Sequence, residues 1–265
     1  MATRLQLLFS APPIVGVIHL PPSLGYETFP GTAPGLKALR ADLSALMQGG
    51  IDGVLLENDN DRPHTLEVSK AQVAWLTRAA SEARSVCALP LGIGVQRIDW
   101  EAALAVAAAA NLDFVRLDVF VDRVRMLEQE VAVDPQAVLR LRQRLKAERV
   151  QLWTDVHVKH ATLIDRTSIE ESARVAAASG SDAVLVTGAR TGEPPDLDEL
   201  RRARTAAHPK PVLIGSGLDA AGAGRLAPFA DGTLVGTALL QDGRARLERV
   251  REVVAAWRAA CASRP

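Results

Sequence analysis

Residues 151–161 read QLWTDVHVKHA, with Asp155, His157 and Lys159 alternating against Val156 and Val158. Side chains two apart on an extended strand point the same way. The segment therefore predicts a strand with Asp, His and Lys on one face and valine on the other. An antiparallel sheet can show such a polar face to water, whereas a parallel sheet covered by helices encloses it. What flanks the segment decides between them.

Outward from it, the chain repeats one unit: a short apolar run, a loop, then an amphipathic helix. Downstream, Ser168 followed by Ile-Glu-Glu is a weak capping box, opening a helix that ends near Ser179-Gly180. Strands are expected at 183–188 (AVLVTG), 211–217 (PVLIGSG) and 232–239 (GTLVGTAL). Helices follow at about 197–207, just after Asp219, and at about 244–260. Upstream, Asp134-Pro135 opens a helix with Asp as N-cap and Pro at the first helical position, after a longer excursion at 121–133. Earlier strands fall at 13–20 (PIVGVIHL), 51–58 (IDGVLLEN), 86–95 (VCALPLGIGV) and 114–120 (FVRLDVF). Helices fall at about 36–48, stopped by Gly49-Gly50, at 66–84 and at 100–110. Eight βα units in 265 residues, with no linker or low-complexity tract, predict an α/β fold: one closed (β/α)8 TIM barrel spanning 1–265. The competing doubly wound sheet uses fewer strands and a glycine-rich first turn, where this chain carries prolines.

Hydrophobic residues at 48% and charged residues at 23% supply ample core, and a net charge of +0 gives no electrostatic reason to expect nucleic acid or an anionic membrane as partner. Cys87 and Cys261 lack metal-ligand spacing and suit a reducing compartment. The apolar run at 5–9 is too short for a signal peptide, and no stretch approaches the roughly 18 residues that span a bilayer. A cytoplasmic protein is expected, and homo-oligomerisation is left open.

A barrel of this kind places its active site at the C-terminal ends of the strands. Polar residues gather there. Glu57, Asp155, His157 and Lys159 are the catalytic candidates; His19, Asn58, Asp61, Arg116, Asp118, Thr187 and Thr191 are the substrate-binding ones. The imidazole of His157 suits acid/base work with Asp155 orienting it. Lys159 could bind an oxyanion or form a Schiff base, and Glu57 could activate water. The plainer alternatives are a satisfied polar network on the fifth strand, turn-forming Asp59 and Asp61, and an internal Arg116–Asp118 ion pair. His19, Glu57 and His157 could meet around a divalent cation, although no metal or other cofactor is required. His160 has the opposite parity to His157 and should face the helix layer or the rim. His64 and His208 are expected on the surface, and the four tryptophans in the packing.

Small residues at the last two strand ends, IGSG at 214–217 and VGTAL at 235–239, let backbone N–H groups approach an anion. Gly188, Gly215, Ser216, Gly217, Gly236 and Thr237 are the candidate phosphate contacts; the alternative is tight turns without a ligand.

The chain resembles the BtpA/SgcQ family from end to end, through VIHLPP (17–22), GIDGVLLEN (50–58), DVHVKHA (155–161), VTGARTGEPP (186–195), IGSG and ADGTLVGT (230–237). Members are described as photosystem I biogenesis factors or as nucleosidases. The resemblance implies a phosphate-binding barrel with a small phosphorylated or ribosyl ligand. The chain departs from the family pattern at Gly94 and Ile98, where asparagines are usual, at Asp118, commonly Asn, and at Val121-Asp122, usually Gly-Ala. It also carries LLQDG after the eighth strand, where a lysine is usual.

The expected function is an enzyme acting on a phosphorylated sugar or nucleoside, by N-glycosidic cleavage or a related lyase or isomerase step. Residues 50–61 also look like the tryptophan synthase α-subunit pattern, which gives an aldolase-like lyase as the alternative. A non-catalytic assembly factor is the reading from another class; an exposed Val250, Val253, Val254, Trp257 stripe would favour it, although a stripe at that spacing is ordinarily core.

Overall fold

The computed structural model describes residues 2–165, 168–190 and 192–263. Eight parallel strands close into a barrel in sequence order: β1 (Ile14–His19), β2 (Gly53–Glu57), β3 (Leu91–Gly94), β4 (Phe114–Leu117), β5 (Gln151–Val156), β6 (Ala183–Val186), β7 (Val212–Ile214) and β8 (Gly232–Val235). They are short runs rich in β-branched and Leu residues, buried on both faces as a helix-covered parallel sheet requires. The outer layer comprises α2 (Thr32–Gly49), α3 (Lys70–Val86), α4 (Trp100–Ala109), α5 (Pro135–Arg144), α6 (Ile169–Ala178), α7 (Leu197–Ala207), the short α8 (Ala223–Leu226) and α9 (Leu247–Ala262). The helix starts at Asp134 and Ser168 fall where expected, each capped by its own side chain. The Val250, Val253, Val254, Trp257 stripe of α9 is buried against the barrel.

An additional helix, α1 (Arg4–Leu8), closes the N-terminal end of the barrel. Thr3 and Gln6 form its capping box, and it delivers Leu5 and then Phe9 to the interior. There Trp153 stacks on Phe114 with centroids 3.8 Å apart and planes 13° apart, and Phe9 meets Trp153 at 6.2 Å. The stack needs a missing side chain on β3, because a Cβ at Gly92 would lie 2.2 Å from the Phe114 ring. Gly92→Ala is expected to push Phe114 off Trp153 and cost about 1–3 kcal/mol, read by chemical denaturation together with a changed near-ultraviolet circular dichroism spectrum.

Several boundaries differ from the sequence reading. Residues 86–90 are not strand, because α3 runs to Val86; it starts at Lys70, behind a Ser69–Gln72 capping box. The final strand stops at Val235 and continues as a 3-10 turn, Thr237–Leu239, and residues 240–245 form a small hairpin before α9. The excursion after β4 is a second hairpin, Val124–Met126 with Gln129–Val131, joined by Thr162–Leu163. It seals its own apolar patch with Val119 and Val158.

The consequential difference is at β5. The strand ends at Val156, and His157 turns into the left-handed region at φ 51°. The predicted alternation of Asp155, His157 and Lys159 on one face is therefore broken after its first member.

Candidate active site

Register sets the floor of the C-terminal mouth. His19 pairs with Glu57, Glu57 with Gly94 and Gly94 with Arg116, so these four stand at one level on β1 to β4. Gly94 is what lets the level become a network. A Cβ there would lie 3.3 Å from Glu57 Oε1 and 3.6 Å from Arg116 Cβ, in the space through which Arg116 reaches across to Glu57.

Arg116 organises the charge. Its Nε and Nη2 donate to the two oxygens of Asp155 at 2.8 and 2.9 Å, and its Nη1 donates to Glu57 Oε1 at 3.0 Å. Gln96 Nε2 donates to Glu57 Oε2 at 3.2 Å, and His19 Nε2 stands 3.9 Å from the same oxygen. Asp118, inward-facing two residues along from Arg116, approaches Nε only to 3.7 Å. Three carboxyls thus converge on one guanidinium, and the one with the loosest contact is left to hold a proton. Burial, with the charges of Asp155 and Glu57 adding to it, outweighs Arg116 and pushes Asp118 up to about 7. Among these contacts Arg116 itself stays charged, held well above its ordinary value by Asp155 and Glu57 against burial.

Lys159 hangs over this network from the turn after β5. Its amine has no hydrogen bond or ion pair with any described residue, and burial followed by the Arg116 charge lowers its pKa. His160, one residue on, lines the same space and is likewise shifted down by burial.

His19, Glu57, Arg116 and Lys159 border two narrow lobes of about 50 Å³ each. One lobe adds Asp118, Gln96, Arg97, Asp59, Val158 and His160. The other adds Gly215, Ser216, Gly217, Gly236, Thr237 and Gly192. The small residues after β7 and β8 therefore share a lobe with part of the charged floor. Gly217 has a positive φ, 76°, and a Cβ there would lie 2.0 Å from the Glu193 backbone, so only glycine passes beneath the segment around Glu193 and Pro194.

Other candidates are placed differently. His157 lines neither lobe: its N–H is held by Asp122 at 2.8 Å, and its Nε2 is buried without a partner. His19, Glu57 and His157 accordingly do not converge, and among the described residues no group of three or more His, Cys, Asp or Glu is placed to hold a metal ion. Asn58 and Asp61 are spent on each other and on loops. Asn58 Nδ2 donates to Asp61 at 3.1 Å and its Oδ1 accepts from the Gln96 N–H at 2.8 Å, while Asp61 accepts from the Ser23 N–H at 2.6 Å and Gln72 Nε2 at 2.9 Å. The pair ties the loops after β1, β2 and β3 together and so positions Gln96. Gly188 lies under the Glu193 backbone, its N–H on Ser216 Oγ at 3.3 Å, and is closed to a ligand. Thr187 sits below the cradle with its hydroxyl buried and unpartnered. Thr191 lies outside the described residues. His64, expected on the surface, has a side chain only 9% exposed.

Gln96, Arg97 and His160 are mouth residues that pattern reading missed or left at the rim. A larger cavity of about 710 Å³ lies at the opposite end, between α1 and α7, but none of the mouth residues borders it, and Arg204 there is paired with Asp231 at 2.9 Å.

Comparison with known proteins follows this geometry. The BtpA family profile matches residues 10–258. An uncharacterised protein of Archaeoglobus fulgidus is 35% identical over 243 residues, covering 92% of this chain and 97% of that one. The photosystem I biogenesis protein BtpA of Synechocystis is 30% identical over 234 residues, covering 87% and 81%. Among solved structures, tryptophan synthase of Mycobacterium tuberculosis superposes with a TM-score of 0.61 at 18% identity, covering 98% of this chain and 99% of that one. An archaeal fructose 1,6-bisphosphate aldolase gives 0.60 at 13%, covering 97% and 98%. At such identities the structural likenesses establish the barrel alone. No helix among the described residues is long and apolar enough to cross a membrane. Sequence match over nearly the whole chain, with the barrel and its mouth, places the chain in the BtpA family.

Proposed function

We propose that this protein is an enzyme acting on a small phosphorylated sugar or phosphorylated nucleoside at the C-terminal mouth, by N-glycosidic cleavage or a related lyase or isomerase step. One observation carries the reading: the small-residue cradle and a floor holding Asp118 and Lys159 belong to adjoining lobes of one mouth. Ser216, Gly217, Gly236 and Thr237 would hold the phosphate through backbone and hydroxyl donors. The sugar would then lie over Glu57 and Arg116. Asp118, with its pKa about 7, can take or return a proton at neutral pH. Lys159 would stabilise a developing oxyanion. Glu57 and Asp155, fixed by Arg116, would supply the negative field that an oxocarbenium-like centre needs. His19 replaces His157 as the imidazole in reach. A cytoplasmic setting suits this reading, since phosphorylated sugars do not cross bilayers freely.

A thermal-shift panel with phosphate, ribose 5-phosphate, nucleosides and nucleoside monophosphates tests it. Phosphorylated compounds at about 100 times their dissociation constant should stabilise the fold by roughly 2.7 kcal/mol. Thr237→Glu, an exposed change that sets a carboxylate beside the cradle, should abolish that shift; an unaltered shift in this variant would sink the phosphate assignment.

The amine of Lys159, depressed by burial and without a partner among the described residues, favours a second reading, an aldolase-like Schiff base. Borohydride reduction with ribose 5-phosphate, followed by peptide mass analysis, separates the two. A reduced adduct on Lys159 selects the Schiff base, and its absence keeps Lys159 as an oxyanion donor. The assembly-factor reading has no support from α9, whose apolar stripe is buried.

A further inference from the structure

The cradle is not closed on its outer side. Past Gly192, Gly217, Gly236 and Thr237 the mouth widens into a cavity of about 440 Å³ between the 218–221 loop and the first turns of α9. Leu218 and Val253 floor it, both buried. Its edge carries Arg249 and Glu252, one helical turn apart on α9, and neither has a hydrogen bond or ion pair with a described residue. Asp219 also lines it, but one of its oxygens accepts the Gly222 N–H at 2.7 Å. Four residues border both this space and the inner lobe, so the two adjoin across the cradle.

A terminal phosphate would leave this space unused and Arg249 without a partner. A diphosphate would not. We propose that the ligand is a nucleoside diphosphate-linked sugar: the cradle takes the phosphate nearest the sugar, Arg249 the second phosphate, and the outer cavity the nucleoside. Arg249 supplies the fork of donors that a second phosphate accepts. Glu252 supplies the acceptor that ribose hydroxyls seek, the role an acidic residue plays at nucleotide sites elsewhere. Small side chains, Ala220, Ala221 and Ala238, leave room for the base over the Leu218–Val253 floor. The inference rests on the phosphate reading above and specifies its substrate class.

Isothermal titration of wild type and Arg249→Ala with ribose 5-phosphate and ADP-ribose tests it, because the second compound is the first extended through its phosphate. Arg249 is exposed and has no ion pair or hydrogen bond among the described residues, so its truncation leaves the fold intact. The expected result is that ADP-ribose binds wild type at least tenfold more tightly than ribose 5-phosphate. In Arg249→Ala that preference should vanish, with ribose 5-phosphate affinity unchanged. Equal affinities in wild type, or a preference that survives in Arg249→Ala, overturn the inference while leaving the phosphate reading standing. Failure of wild type to bind either compound overturns both.

Discussion

Arg116→Met is expected to destabilise the protein by about 3–5 kcal/mol at pH 8, the cost of leaving buried carboxylates without their counter-charge. Glu57 and Asp155 are 3% and 1% exposed, and among the described residues Arg116 alone supplies a cation to both at hydrogen-bond distance. Methionine keeps much of the side-chain volume, so the loss reads charge and hydrogen bonding rather than a cavity. The deficit should shrink on acidification, as the stranded carboxyls take up protons in the folded state. Arg116→Lys should recover only part of the loss, because an ammonium cannot hold both oxygens of Asp155 and reach Glu57 together. Urea denaturation of the three proteins at pH 5 and pH 8 provides the comparison. An Arg116→Met protein as stable as wild type at pH 8 would mean that the three carboxyls do not depend on this guanidinium.

Asp118→Asn is expected to act in the opposite direction, stabilising the protein at pH 8 by about 2–4 kcal/mol on the scale of about 1.4 kcal/mol per pKa unit. The Asp118 carboxyl sits at about 7 in the folded protein against 3.8 ordinarily, so between these values the native state binds a proton that the unfolded chain does not. Stability from this group is therefore fully present below about pH 4 and is lost as pH rises through 7. Asparagine mimics the protonated form and removes that slope, so the advantage of the variant should narrow as the pH falls. Catalysis should suffer while stability improves, the pattern of a group held under strain for its chemistry. Parallel pH–stability profiles for wild type and Asp118→Asn would show that Asp118 titrates normally and would remove it as the acid/base group.

Both residues could be found by parity. Arg116 and Asp118 lie two apart at the end of an apolar run, and Glu57 and Asp155 occupy equivalent places on their strands. Alternation holds while the backbone stays extended, which is why the barrel, the strand order and most of the floor were legible. It fails where the chain turns. His157 should share a face with Asp155, yet Asp122, fifty residues before Ser172 with which it also bonds, captures the His157 N–H and bends the chain at that residue. No local pattern signals that long-range contact. Asn58 and Asp61 carry the right chemistry at the right strand end, but Ser23 and Gln96 from two other loops and Gln72 from the first turn of α3 consume it. The use of the run at 5–9 as a stopper emerges only from Phe9 meeting Trp153. Gly94 appeared as a departure from the family pattern, and the structure supplies its physical consequence: the bridge from Arg116 to Glu57.

On the proposed reading, the cradle of β7 and β8 presents a phosphorylated compound to the Asp118–Lys159 floor. The most direct test of that reading is a phosphorus-31 NMR titration of ribose 5-phosphate with wild type, Thr237→Glu and Asp118→Asn. A shifted, broadened resonance is expected with wild type and with Asp118→Asn, and a free-ligand spectrum with Thr237→Glu. An unperturbed resonance with wild type, or the same perturbation with Thr237→Glu, would contradict it.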